Sequence, residues 1–230
     1  KAYKAVIDRH LKCGYIVPVP EHQLASSYLP RWYLPHHAVI NPKKPDKIRV
    51  VFDCASRYRD ACLHDYLLQG PNITTSLEKV LLRFRRDRVA LASDIQEMFL
   101  QVRVPEHDRG ALRFLWWKHG DLNDETIELQ MAVHPFGATS SPFCASIALR
   151  KSADYSGEPA GSAVRETIEQ SFYVDDCLTS VSTAAEASEL VKGLLRVMSF
   201  VGFRLTKWAS NEPQALQGLP STEISEKLWI

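Results

Sequence analysis

The segment Phe172-Tyr173-Val174-Asp175-Asp176-Cys177-Leu178 constrains the fold more than any other part of the chain. It sets two adjacent carboxylates between two short apolar runs, a pattern that suits a tight hairpin with both acids at the bend. A third acid, Asp94, closes the apolar run Val89-Ala90-Leu91-Ala92-Ser93, as at the tip of a buried strand. Taken singly, Asp94 is a turn cap and the acid pair an exposed bend. Taken together, three carboxylates at strand ends require a cation, because packed like charges are costly when nothing positive compensates them. Mg2+ prefers oxygen ligands and is the usual cation in phosphate chemistry. Two such ions about 3.5–4 Å apart activate an attacking oxygen and stabilise a leaving one at phosphorus.

With 230 residues, 45% of them hydrophobic, the chain buries a real core, which excludes a disordered or fibrous protein. No apolar run approaches the roughly 18 residues of a membrane span, and Lys1-Ala2-Tyr3-Lys4 opens no signal region. The expectation is an intracellular, cytoplasmic protein, neither secreted nor in contact with a membrane. Cys13, Cys54, Cys62, Cys144 and Cys177 are odd in number and never spaced Cys-x-x-Cys, so reduced thiols are expected. The net charge of +1 conceals a division: 16 Lys and Arg against 8 Asp and Glu through Ala90, then 12 against 19. Such an asymmetry suits a polyanion-facing part joined to an acidic site, although charge runs also occur as plain solvated faces.

Periodicity predicts a helix over 3–12 capped near Gly14, with His10 packed on its apolar stripe. Tyr33 to Ile40 and Ile48 to Phe52 read as strands joined by the basic turn Pro42–Lys47. Capping boxes at Thr75/Glu78 and Thr183/Glu186 open helices that run to about Arg86 and to Gly202. Leu112 to Trp117 and Thr126 to Val133 are further strands, Ser141-Pro142 opens a helix, and Ser156 to Gly161 is a loop. Without a regular βαβ rhythm, the expected class is α+β.

The ordered segments Lys44-x-x-Lys47-Ile48-Arg49, Ser93-Asp94-Ile95-Gln96-Glu97-Met98-Phe99, Phe136-Gly137-Ala138-Thr139-Ser140-Ser141-Pro142, Tyr173-Val174-Asp175-Asp176 and Gly202-Phe203-Arg204-Leu205-Thr206-Lys207 resemble the polymerase motifs of reverse transcriptases. Leu67-Leu68-Gln69-Gly70-Pro71-Asn72, Arg113-Phe114-Leu115-Trp116-Trp117 and Lys207-Trp208-Ala209-Ser210-Asn211 are similar to the Bel/Pao class of long-terminal-repeat retrotransposons. The resemblance runs from about Arg9 to Asn211. It implies a right-hand polymerase fold with fingers over 1–90, a palm with an antiparallel catalytic sheet over 91–230, and 105–135 as a candidate return of the fingers.

The resemblance further implies RNA-directed DNA polymerisation, with two Mg2+ ions (Mn2+ as substitute) held by Asp94, Asp175 and Asp176. Arg49, with Lys43 or Lys44, would lie against the triphosphate of an incoming dNTP. Phe99, five residues after Asp94, matches the aromatic that excludes a ribose 2′-hydroxyl. Phe136, Gly137, Ser141 and Pro142 match the segment beside the nascent base pair, and Tyr173 would pack under the primer terminus. Lys207 matches the lysine that protonates the leaving pyrophosphate. Implied partners are an RNA or DNA template with its primer, and the remainder of a polyprotein carrying protease, ribonuclease H and integrase. Phe136 stands where many reverse transcriptases carry Gln, and no thumb segment is recognisable before Ile230. The alternative function is a catalytically silent remnant that only binds nucleic acid or a protein. Trp32, Trp116 and Trp117 are read as core before base-stacking residues.

Overall fold

The computed structural model describes residues 1–24, 31–42, 44–155 and 160–225. In chain order the helices are α1 (Ala2–Lys12), the single turn α2 (Glu21–Leu24), α3 (Leu77–Phe84), α4 (Ser141–Ser152), α5 (Ser162–Gln170) and α6 (Ala184–Phe200). The strands are β1 (Ile16–Pro18), β2 (His36–Asn41), β3 (Lys44–Phe52), β4 (Val89–Ile95), β5 (Arg113–Trp117), β6 (Thr126–Met131), β7 (Phe172–Tyr173), β8 (Asp176–Val181) and β9 (Leu205–Ser210). Among the described residues they form a mixed α and β fold with three antiparallel sheets, ordered β1-β6-β5, β2-β3 and β7-β8-β4-β9. The chain divides into two compact units, Lys1–Gly70 with Phe99–Ser141 and Pro71–Met98 with Pro142–Ile230.

In the first unit α1 places Ile7 and His10 inward, as its periodicity predicts, and Gly14 follows at φ +69°. The core gathers Ile7, Ile16, Phe52, Phe114, Trp116 and Leu129. Trp116 stacks on Tyr3 with centroids 5.5 Å apart, and Trp32 and Trp117 pack against the same core. Arg113 is fully buried there, so its charge has to be matched. Its Nη1 donates to Glu128 Oε2 at 3.0 Å and its Nη2 to the Gln23 carbonyl at 3.0 Å, tying α2 to the sheet. The basic hairpin differs from expectation. Its first strand starts at His36, Tyr33 making only an isolated bridge to Arg113, and its second already begins at Lys44, opposite Asn41. The register slips between Ile40 and Asn41, where Pro45 supplies no N–H to the ladder.

In the second unit β4 is central, paired with β8 and β9. Its alternation is typical of a sheet with a covered face: Leu91, Ser93 and Ile95 are buried, whereas Ala92 and Asp94 are half-exposed. The long helix α6 is capped by Thr183 Oγ1, which accepts from the Glu186 amide at 3.2 Å. It buries Leu190, Val191, Leu194, Val197 and Met198 along one stripe. The cap of α3 is Ser76, one residue past the expected Thr75. Most of the expected loop Ser156–Gly161 lies outside the described residues.

Candidate active site

All three acids lie in the second unit, brought together by pairing in its sheet. The register of β4 and β8 puts Asp94 directly opposite Asp176 and, one step back, buried Ser93 opposite buried Cys177. Directly opposed residues share a face, with Cβ atoms about 4.5–5.5 Å apart, so two carboxylates meet where like charges are destabilising. Asp175 occupies the two-residue turn between β7 and β8, and the Ile95 amide donates to its carbonyl at 2.8 Å. Tyr173, at the end of β7, stands opposite Asp176 and is exposed. Among the described residues no group of three His, Cys, Asp or Glu side chains converges as a metal-ion site.

Burial first, then the charge of Asp94, pushes the Asp175 carboxyl above its ordinary value, and Lys207 opposes the shift. Asp176 is raised by burial, then by Asp175 and Asp94. Lys207 Nζ donates to Asp94 Oδ2 at 2.8 Å. This contact depends on a bulge. Ala92 pairs with Ala209 and Asp94 with Thr206, which leaves one extra residue on β9 between them. In regular pairing Lys207 would point with Ser93 to the other face. It instead adopts φ +55°, and its ammonium returns to Asp94. Val174 at φ +55° and Glu97 at φ +53° are also left-handed, a costly conformation for a β-branched valine. Backbone strain beside all three acids is the kind that accumulates at functional sites.

The first unit carries the other expected site residues except Pro142. Phe99 is the second residue of the short turn Met98–Gln101, half-buried, with its ring 5.7 Å from that of Phe136. Phe136 is exposed, and Gly137 beside it has φ +111°. Ser141 is buried and its Oγ donates to the Pro135 carbonyl at 2.8 Å; Pro142, assigned to the second unit, is exposed. Arg49 is exposed on β3 opposite Val39. Lys43 lies outside the described residues, and Lys44 is placed only as the first residue of β3. The sequence reading missed His64, whose Nε2 lies 3.0 Å from the Gly137 carbonyl. It lies 73 residues away in sequence, and no local pattern marks such a contact.

No family model and no curated protein matches the chain. Solved structures do. The foamy viral protease-reverse transcriptase in complex with double-stranded DNA is similar at TM-score 0.63 and 16% identity, over 89% of this chain and 30% of that one. A mutant of the Prototype Foamy Virus protease-reverse transcriptase gives 0.63 and 16%, over 90% and 23%. The foamy viral enzyme with an RNA/DNA hybrid gives 0.61 and 16%, over 87% and 22%. The chain therefore has a reverse-transcriptase-like fold, and it spans at most 30% of the length of these three proteins.

Proposed function

We propose that this chain is the fingers and palm of a reverse transcriptase, of the Bel/Pao class of long-terminal-repeat retrotransposons, joining deoxynucleotides to a primer 3′-hydroxyl on an RNA or DNA template. The observation that carries the proposal is Asp94 opposite Asp176 with Asp175 in the adjoining turn, on a fold shared with reverse transcriptases. In this reading the fingers span 1–90 and the palm 91–230, with 105–135 as a candidate return of the fingers. The donor chemistry suits a hard divalent cation, although the three acids do not converge as a site among the described residues: all donors are carboxylate oxygens, two of the carboxyls are raised by burial and mutual repulsion, and an ammonium is already drawn to Asp94. Bound Mg2+, or Mn2+ in its place, would neutralise charge on the attacking and leaving oxygens.

In this assignment Asp94, Asp175 and Asp176 would hold the metal, and Lys207 would supply a proton from Nζ to the leaving pyrophosphate. Arg49 with Lys43 or Lys44 steadies the triphosphate through charge-assisted hydrogen bonds. The Phe99 ring excludes a 2′-hydroxyl, Gly137 with Ser141 and Pro142 borders the nascent pair, and Tyr173 lies under the primer end. The parent protein is expected to be cytoplasmic and to carry protease, ribonuclease H and integrase regions. Binding without catalysis is the second reading, favoured by the absence of a converging three-acid site among the described residues. Primer extension with Mg2+ by the full-length protein that carries this chain separates the two. Asp94→Asn or Asp175→Asn should abolish extension while the fold persists, a loss of several kcal/mol of transition-state stabilisation. Extension within about tenfold of wild type in either variant overturns the metal assignment, and wild-type protein that binds primer-template but extends nothing supports the second reading.

A further inference from the structure

Phe136 is 65% exposed, yet the turn that carries it is fixed on both sides. The buried Ser141 hydroxyl holds the Pro135 carbonyl at 2.8 Å, and His64 Nε2 lies 3.0 Å from the Gly137 carbonyl. Gly137 has φ +111°, and a Cβ there would approach the Phe52 carbonyl to 3.1 Å, so glycine is required. Single exposed apolar side chains are ordinary on protein surfaces. A large ring presented to water on a backbone pinned from three directions is a different case, since nothing in the core asks for it.

Among the described residues the Phe136 ring meets one neighbouring aromatic, Phe99, at 5.7 Å between centroids and 51° between planes, within the attractive range of aromatic pairs. Phe99 is only half-buried, so its own packing leaves part of its ring without support. A wall meant to exclude a single oxygen atom must be held to about 0.5 Å, which requires a locked rotamer. We propose that Phe136 is the positioning residue for Phe99, and that the pair of rings sets selection of deoxyribose over ribose. This rests on the assignment of Phe99 to the sugar of the incoming nucleotide. It also gives Phe136 a task unlike that of the hydrogen-bonding Gln found there in many reverse transcriptases.

The test is kcat and KM for a deoxynucleotide and the matching ribonucleotide, measured on the full-length protein with Phe136→Ala, Phe136→Tyr, Phe99→Val and the Phe99→Val/Phe136→Ala double variant. Truncating an exposed side chain opens no core cavity, so Phe136→Ala should fold. Its deoxy-over-ribo preference should fall about threefold to tenfold, the range of a lost aromatic pair, chiefly through KM. Phe136→Tyr, which keeps the ring, should retain the wild-type ratio. The double variant should discriminate no worse than Phe99→Val alone, because residues acting as a unit are non-additive. A wild-type ratio in Phe136→Ala beside a lowered ratio in Phe99→Val overturns the positioning role and leaves the sugar assignment standing. Additive losses in the double variant overturn the positioning role as well. Wild-type ratios in both single variants overturn the positioning role and the sugar assignment together.

Discussion

Asp175 shows what the acid cluster costs the fold. Its carboxyl is raised above the ordinary value of 3.8 by burial and by Asp94, so the folded state holds that proton more tightly than the unfolded chain. Stability from the protonated group is fully present below 3.8 and is lost as pH rises through the raised folded value. Asp175→Asn, neutral at every pH, should therefore melt higher than wild type at pH 7 in the presence of chelator. The two melting curves should converge below about pH 3; a lower melting temperature for the variant at neutral pH would contradict the argument. Lys207 is the counterweight, and Lys207→Met should lower the melting temperature in chelator while tightening Mn2+ binding in an electron paramagnetic resonance titration, since a competing cation has gone from Asp94. Unchanged Mn2+ affinity would show that the ion pair is a surface contact of little weight. At this scale the acids were legible, because carboxylates interrupting apolar runs stand out in any sequence. The Lys207 contact with Asp94 was not, because it spans 113 positions and depends on a bulge.

At the scale of elements, legibility followed periodicity. Helices α1 and α6 carry regular apolar stripes and the sequence predicts both. Strand β9 carries none: Leu205 is buried and Thr206 half-buried, then Lys207 is exposed and Trp208, Ala209 and Ser210 are all buried, because the bulge interrupts the alternation of two. Strand β1 has three residues ending in Pro18, too short to show a pattern. Helix α5 was missed because only Val164, Thr167 and Ile168 are buried, one of them polar. Its packing on α6 gives a sharp prediction. A Cβ at Gly193 would lie 2.6 Å from Val164 Cγ2, a stiff β-branched atom with no other rotamer readily open to it. Gly193→Ala, which in an open helix gains about 1 kcal/mol, should here lose about 1–3 kcal/mol through overpacking. Adding Val164→Ala should recover part of that loss, as read by thermal or urea melts; a stabilised Gly193→Ala single variant would mean the two helices sit farther apart.

For the whole molecule, folding redistributes the charge that the sequence shows as two halves. Lys79, Arg83, Arg85, Arg86 and Arg88 belong to the same unit as the three acids, so the first unit has 15 basic and 12 acidic residues and the second 13 and 15. The steep contrast along the chain therefore becomes a mild one between units, and a uniformly basic half is not what a nucleic acid would meet. What remains concentrated is the hairpin of β2 and β3, where Lys43, Lys44, Lys47 and Arg49 fall within seven residues and exposed Arg49 faces no ion pair among the described residues. If these side chains track phosphates, each one neutralised releases counterions and adds about 0.9 to the slope of log affinity against log salt on duplex DNA. Replacing Lys43, Lys44 and Lys47 with Ala should flatten that slope by up to about 2.7 and weaken binding nearly equally across sequences, since phosphate contacts carry no base information. The Lys79 to Arg88 cluster serves as the internal control, because it places similar charge on the other unit. Fluorescence anisotropy on one RNA/DNA primer-template at several salt concentrations reads both sets. A flattened slope in the hairpin variant alone identifies the hairpin as the phosphate-facing surface, whereas an unchanged slope there would make its lysines a solvated tip.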